Sequence, residues 1–417
     1  MGGGWAGLAA AVQATRAGHH ATLFEAARAL GGRARSLELA LPGGGTAMVD
    51  NGQHILIGAY LQTLRLMQEV GVDLEQALLR LPLTLRFPDG GGLQLPAWPA
   101  PLDALAGILG ARGWSWRDKL SLLRHASGWQ RRGFACAPQL SVADLCRDLA
   151  PPVMHDLIEP LCVAALNTPS EQASAQVFLR VLRDSLFGGG HGNWAGSNLL
   201  LPRRDLGRLF PEAARDWLQA HGAEIRMGSR AQAIARDGSR WSVDGEPFDA
   251  VLLACPPWEA ARLVEAGGMP ADAWLAHVRA LDYEPIATVY AMGTQALPLP
   301  MLSLRSDASR PAQFVFDRGQ LGGPPGLLAF VASASRGTLE ELQDQVVAQA
   351  AALGWPVTPL RTVVEKRATF ACTPGLRRPA SAIAPGLWAC GDYVEGPYPA
   401  TLEGAVRSAL AAVAAIT

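Results

Sequence analysis

The two ends of the chain carry matching halves of one nucleotide site. Gly2-x-Gly4-x-x-Gly7 opens the sequence, followed by an alanine-rich stretch over 5–17 and the apolar run Ala21-Thr-Leu-Phe-Glu25. Glycines at that spacing predict a tight turn at Gly2, room for a pyrophosphate beside Gly4, and close helix–strand packing at Gly7. The helix that starts at Trp5 and Ala6 would turn its N-terminus to the phosphates. Glu25 stands 18 positions after Gly7, where a dinucleotide fold puts the carboxylate that takes the adenosine ribose. Near the other end, Leu387-Trp-Ala-Cys-Gly391-Asp392 reads as a strand end ahead of a small-residue helix. A flavin spans the whole crevice of such a fold, and its ribitol needs an acceptor from a second strand. A nicotinamide has no fixed need of one. The pair of signals therefore predicts bound FAD.

A length of 417 residues predicts two domains. With 49% hydrophobic and 18% charged residues the composition is that of a rather apolar globular protein. A formal net charge of −1 gives no electrostatic case for nucleic acid. The six cysteines form no Cys-x-x-Cys and no Cys/His ligand cluster, so neither a metal site nor a disulfide scaffold is expected, and a reducing cytosol fits. There is no secretory signal and no run approaching the roughly 20 apolar residues of a spanning helix. One feature departs from the pattern: only Met1 precedes Gly2, where a strand of about five or six apolar residues normally enters. The expectation is that Met1 is not the natural start and that a Val/Ile-rich strand is encoded upstream. The alternative is a sheet that lacks its central strand.

Along the chain, a Pro- and Gly-containing loop over 88–101 marks departure from the nucleotide core. Residues 101–187 carry apolar positions at three- and four-residue spacing, predicting helices over 102–109, 116–129, 142–149, 153–166 and 173–186. The chain returns to the core at Leu199 with a helix over 206–220 and strands over 223–227, 232–235, 241–243 and 248–255. A strand-rich excursion over 281–366 follows, with a helix over 338–352. The fold class expected is α/β: a Rossmann-like FAD-binding domain from 1–87, 199–270 and 367–417, with an inserted mixed α+β substrate domain from 88–198 and 271–366.

Several longer stretches carry a resemblance. Gly31-Gly32-Arg33-Ala34-Arg35-Ser36, Asp50-Asn-Gly52-Gln53-His54, Leu166-Asn-Thr-Pro169, Val177–Asp184 and Leu199–Arg203 belong to this set. So do Glu365-Lys366-Arg-Ala-Thr-Phe and Tyr398-Pro-Ala400-Thr401-Leu402-Glu-Gly-Ala405. With these the chain resembles the amine oxidase/phytoene desaturase flavoproteins over nearly its full length, and within them the hydroxysqualene dehydroxylases of hopanoid synthesis. The resemblance implies an amine oxidase-like fold and reductive loss of a hydroxyl from a long polyisoprenoid, in a deep apolar tunnel that ends at the flavin. A carotenoid desaturase or an amine oxidase on the same fold is the alternative.

The residues agree with that implication. Arg33 follows two glycines, and its guanidinium can fork onto a pyrophosphate. Asp392, after Gly391 at a strand end, suits ribitol hydroxyls. Ala400, Thr401, Leu402 and Ala405 begin a helix whose N–H groups can face the flavin's pyrimidine oxygens. Gly52, Gln53 and His54 fall where the resemblance implies flavin contact, and Ala231 where it implies adenine contact through backbone. His54, Lys366, Tyr393 and Tyr398 are the candidate catalytic groups; a lone histidine is more often structural, Lys366 can equally be a surface ion pair, and the two tyrosines can equally be ordinary packing. No metal ligands are expected. Finally, Leu95-Pro-Ala-Trp98, the apolar 102–109 stretch and Trp114-Ser-Trp116-Arg-Asp-Lys119 form a candidate interfacial patch. That patch would attach a cytoplasmic protein to the inner face of the membrane.

Overall fold

A computed structural model of the chain describes residues 1–99 and 101–416. The loop over 88–101 and the segment 367–417 thus each include one residue, Ala100 and Thr417, outside the described residues.

The nucleotide core is organised around α1 (Trp5–Arg16), whose residues from Trp5 to Val12 are all buried. Its small side chains let it lie against the closing helix Leu402–Ala414. A Cβ at Gly7 would overlap the carbonyl oxygen of Gly2, and Gly2 itself has φ +107°, so neither position admits a side chain. On one side of the turn Thr22–Glu25 pairs parallel with Glu224–Met227. On the other, Val251–Leu253 pairs parallel with Leu387–Ala389, which pairs antiparallel with Ala382–Ala384. These are two separate sheets. Between them runs only the backbone of Met1 and Gly2: Gly2 N donates to Phe24 O at 2.7 Å, Met1 N to Leu252 O at 2.8 Å, and Ala254 N to Met1 O at 2.8 Å. The place a central strand takes in such a sheet is held here by two residues.

Proline and register account for where the other expectations shift. The single helix expected over 206–220 is two, Leu206–Leu209 and Pro211–Ala220, because Pro211 has no N–H to continue the first and sits at the start of the second. In the helical excursion, α2 (Leu102–Gly110) and α3 (Trp116–Arg131) form where expected, whereas the helix over 142–149 stops after Val142–Leu145. The chain over 151–166 contains a π-turn at Met154–Ile158 just before Pro160, which cannot donate four residues back. It ends at Asn167, in a left-handed conformation (φ 48°) that an asparagine tolerates better than most residues.

The second excursion is a five-stranded antiparallel sheet of β1 (Tyr283–Gly293), β2 (Met301–Ser303), β3 (Phe314–Asp317), β4 (Leu327–Ser333) and β5 (Val357–Phe370), in the order β2-β3-β4-β1-β5. One face, with Val289, Leu302, Val315, Leu328 and Phe330, packs with Val346 and Ala350 of the helix Leu339–Ala352. The other looks into a cavity. The β1–β5 register jumps at Pro285: Glu284 pairs with Thr369, but Ile286 pairs with Glu365. Three residues of β5, Lys366 to Ala368, therefore bulge opposite one proline.

Candidate active site and cofactor cradle

A cavity of about 740 Å³ runs from the N-terminal glycine turn to the inner face of the five-stranded sheet. Gly2, Gly4, Trp5, Ala6, Glu25, Gly32, Arg33 and Ala231 line one end. Gly52, Gln53, His54, Gly391, Asp392, Tyr393, Ala400, Thr401, Leu402 and Ala405 line the middle. The far end is largely apolar, with Ile286, Phe314, Phe316 and Val331 from the sheet and Val163 to Leu166 from the helix facing it. Among the expected cofactor residues only Gly7 stays outside, packed behind Gly2.

The local chemistry is set by backbone geometry. Glu25 accepts from Gly3 N at 2.5 Å and from Ala27 N at 2.6 Å, which holds its carboxylate at the glycine turn. Gly4 and Gly32 approach so closely that a Cβ on Gly32 would lie 3.1 Å from the Cα of Gly4. Arg33 pairs with Asp392 and donates to Ala368 O at 3.0 Å, so residues at the start and end of the chain meet across the cavity. Tyr398 and Ala400 both have positive φ, 58° and 57°, which is strained for such residues. Thr401 closes that turn: its Oγ1 donates to Tyr398 O at 2.7 Å and accepts from Gly404 N at 3.0 Å, capping the final helix. Fully buried Glu403 accepts from Thr63 N at 2.9 Å and from Arg407 Nε at 2.6 Å, locking that helix to the neighbouring one.

Two donors test whether a dinucleotide fits. Trp5 Nε1 and the Tyr393 hydroxyl are buried, line the cavity, and have no hydrogen-bond partner among the described residues. Buried polar groups are rarely left unpaired. Together with the glycine cradle, the Glu25 carboxylate and Asp392, they fit a group that is polar along its length and enclosed by protein.

The four expected catalytic groups divide. His54 lines the cavity, and burial, helped by the charge of Arg33, lowers its pKa to about 4, so its imidazole is neutral at pH 7. Tyr393 also lines it, with burial pushing its hydroxyl well above the usual tyrosine range. The other two lie outside the cavity lining. Lys366 is exposed and does not line the cavity. Tyr398 lies beside the cavity without lining it; its hydroxyl donates to Asp184 Oδ2 at 2.9 Å and its ring packs edge-on to Tyr60.

Three side chains stood within the quoted motifs without an assigned role. Glu365, next to Lys366, faces the cavity, where Asn51 Nδ2 approaches its Oε2 at 3.5 Å. Asn51 also donates to Arg33 O at 2.8 Å and accepts from Arg35 N at 3.1 Å, tying two motifs together. Asn167 donates to Glu284 O at 3.2 Å and Thr369 Oγ1 at 2.9 Å and accepts from Ala334 N at 2.8 Å, fixing the helical wall to β1, β5 and the end of β4. Period-two alternation along β5, counted from a break at Pro285, was the available signal for Glu365.

Comparison with known proteins places this geometry. The sequence profile of the flavin-containing amine oxidoreductases matches residues 5–417. The hydroxysqualene dehydroxylase of Rhodopseudomonas palustris is 28% identical, over 98% of this chain and 95% of its own. An oxidoreductase of known structure from Methanosarcina mazei superposes with a TM-score of 0.73 at 16% identity, covering 98% of both chains. The cyclohexylamine oxidase of Brevibacterium oxydans IH-35A superposes with a TM-score of 0.64 at 17% identity, covering 100% of this chain and 97% of its own. The structural likenesses establish the fold: an α/β fold of the amine oxidase type. The cofactor is FAD.

Proposed function

We propose, for a chain that belongs to the flavin-containing amine oxidoreductase family, that it reductively removes the hydroxyl of hydroxysqualene to give squalene. The observation that carries this reading is one continuous cavity with a dinucleotide cradle at one end and hydrocarbon-lined walls at the other. The near full-length similarity to a hydroxysqualene dehydroxylase supports the choice of substrate. The segments 1–87, 199–270 and 367–417 would form the FAD unit, and 88–198 with 271–366 the substrate unit.

In this reading Glu25 takes the adenosine ribose, Arg33 the pyrophosphate and Asp392 the ribitol hydroxyls. The capped helix start at Thr401–Ala405 would face the flavin's pyrimidine oxygens, where its N–H groups would favour negative charge. Reduced FAD supplies the hydride. Ile286, Phe314, Phe316 and Val331 bind the polyisoprenoid by excluding water, and enclosure also strengthens every polar contact at the reacting carbon. The test is anaerobic mixing of fully reduced protein with hydroxysqualene. Squalene should form in step with flavin oxidation, and deuterium carried on the reduced flavin should appear in it. Unchanged hydroxysqualene would overturn the assignment, and flavin reduction by an amine or a carotenoid would favour the oxidative alternatives.

A water-insoluble substrate also calls for a route from lipid, and we propose a peripheral membrane attachment through α2 and α3. No helix among the described residues is long and apolar enough to cross a membrane. Helix α2, however, is inside-out: Asp103 and Gly107 are buried while Leu102, Leu105 and Leu109 are exposed. Trp98, Trp116 and Leu120 extend the patch, and Lys119 joins its halves, donating to Leu109 O at 2.7 Å while its ammonium lies 5.1 Å from the Trp116 ring. Exposed Arg112, Arg117 and Arg124 complete a basic rim suited to anionic lipid headgroups. Trp114 is not part of this patch. It is buried, with Nε1 donating to Asp156 Oδ2 at 3.2 Å. Wild type should float with phosphatidylglycerol vesicles and W98S/W116S/L120S should not; equal flotation of both would remove this proposal.

A further inference from the structure

We propose that Glu365 is a catalytic residue, the acid that protonates the departing hydroxyl; this rests on the dehydroxylation reading above. Removing hydroxide from carbon needs a proton donor at the oxygen. The candidates the sequence offered do not serve: Lys366 points to solvent, Tyr398 is engaged with Asp184, and His54 is neutral. Tyr393 is held as an un-ionised phenol deep in the cradle. Glu365 is the carboxyl that the sheet itself presents to the apolar lobe.

Its position follows from register. Glu365, Ile286 and Ser333 lie in one row across β5, β1 and β4, and all three line the cavity. The bulge at Pro285 begins one residue later, so the carboxyl stays inward while Lys366 and Arg367 leave the face. Arg367 is held outside over the Trp258 ring, its guanidinium carbon 4.4 Å from the centroid. Facing Glu365 from other elements are the Asn51 amide at 3.5 Å and, near enough to sense its charge, the Arg33 guanidinium, which is itself paired with Asp392. From the sheet, Ile286 is its partner across the ladder, and Ser333 follows in the same row. The arrangement thus puts a carboxyl at the boundary between cradle and lobe, where the hydroxyl-bearing carbon must lie to meet the flavin.

The step balances as follows. The C–O bond breaks with its electron pair on oxygen, and the Glu365 proton joins that oxygen so that water leaves. The allylic carbon, left electron-deficient, accepts a hydride from reduced FAD, the two-electron reductant of the reaction. The Glu365 carboxylate regains its proton from solvent when product leaves.

The test is E365Q, which keeps the shape and the Asn51 contact but cannot give up a proton. In single-turnover oxidation of the reduced holoenzyme by hydroxysqualene, E365Q should be slower by about 10²-fold or more. E365D, which keeps a carboxyl, should restore part of the rate. FAD content and the flavin spectral change on adding squalene should stay unchanged. An activity-independent readout is the infrared difference spectrum of oxidised holoenzyme on adding squalene: a protonated-carboxyl band should appear in wild type and be absent in E365Q. An E365Q rate within about threefold of wild type, or a carboxyl band that persists in E365Q, overturns the assignment while leaving the dehydroxylase reading intact. A wild type that converts no hydroxysqualene overturns both.

Discussion

The two ends of the cavity are built by different means. The cradle end is made from backbone: glycines at 2, 4, 7 and 32, a capped helix start and a carboxylate held by two amides. The lobe end is made from side chains of strands far apart in sequence, whose inward residues are chosen by register. Backbone sites tolerate almost no added atom, whereas side-chain walls can change by a methyl group and still close. The cradle should therefore fail completely when perturbed, and the lobe by degrees.

The largest effect is expected at Gly7. Valine there drives its Cβ into the Gly2 carbonyl, and α1 must then leave the sheet. A typical total stability of about 5–15 kcal/mol cannot absorb that displacement. G7V should be insoluble or colourless, checked by flavin absorbance per mole of soluble protein. A G7V protein with stoichiometric FAD would show that the cradle is as adaptable as the lobe.

Asp50 sits where the two regions are stitched together. Its Oδ1 accepts from Leu206 N at 2.7 Å, and its backbone carbonyl accepts from the Tyr290 hydroxyl of β1 at 2.6 Å. Burial pushes its pKa up to about 7. Between about pH 4 and 7 the folded protein keeps a proton that the unfolded chain has released, so this group makes stability fall as pH rises. The cost is at most about 4 kcal/mol, at about 1.4 kcal/mol per unit. His54 works in the opposite sense. Its folded pKa of about 4 lies below the unfolded value, so its contribution rises as pH climbs from about 4 to 6.5. The two offset each other in wild type. D50N, whose amide oxygen can still accept from Leu206, should expose the His54 rise between pH 4 and 6.5 and be the more stable protein at pH 8. Denaturant titrations of holoenzyme at several pH values would check this; parallel curves for both proteins would refute it.

The same contrast explains what was legible in the sequence. The cradle could be read because its determinants are local: glycine spacing, an acid at the next strand end, Gly391-Asp392 before a helix. The helices of the first excursion were visible in their periodicity, except where the one at Val142–Leu145 ended after a single turn; in the core, Pro211 split the helix expected over 206–220. Glu365 was hidden because the face it takes depends on the register of β5 against β1, which pairs it with Ile286 far away in sequence. Trp114 and Trp116 read alike as interfacial tryptophans, but one is buried against Asp156 and the other exposed, a difference set by residues more than 30 positions away. Asn167 was noticed within a motif, yet its three bonds to the sheet region depend on contacts no local pattern encodes.

The smallest effect is expected in the lobe wall. Val331 lies on β4 opposite Phe314 and is nearly buried, with its side chain toward the cavity. V331A removes two methyl groups from a surface that meets only hydrocarbon in the proposed complex. At about 0.8 kcal/mol per buried methylene-sized group, and with contact made on one side, the loss of substrate binding should be about 1–1.5 kcal/mol, roughly tenfold in KM. Substrate and transition state lose the same contact, so kcat should hold while KM rises. FAD content and the flavin spectrum should not change, since no atom of Val331 belongs to the backbone cradle. Steady-state kinetics with hydroxysqualene beside a flavin titration would measure both. A fall in FAD affinity in V331A would mean that the two ends of the cavity are mechanically one, and the contrast between backbone cradle and side-chain lobe would be lost.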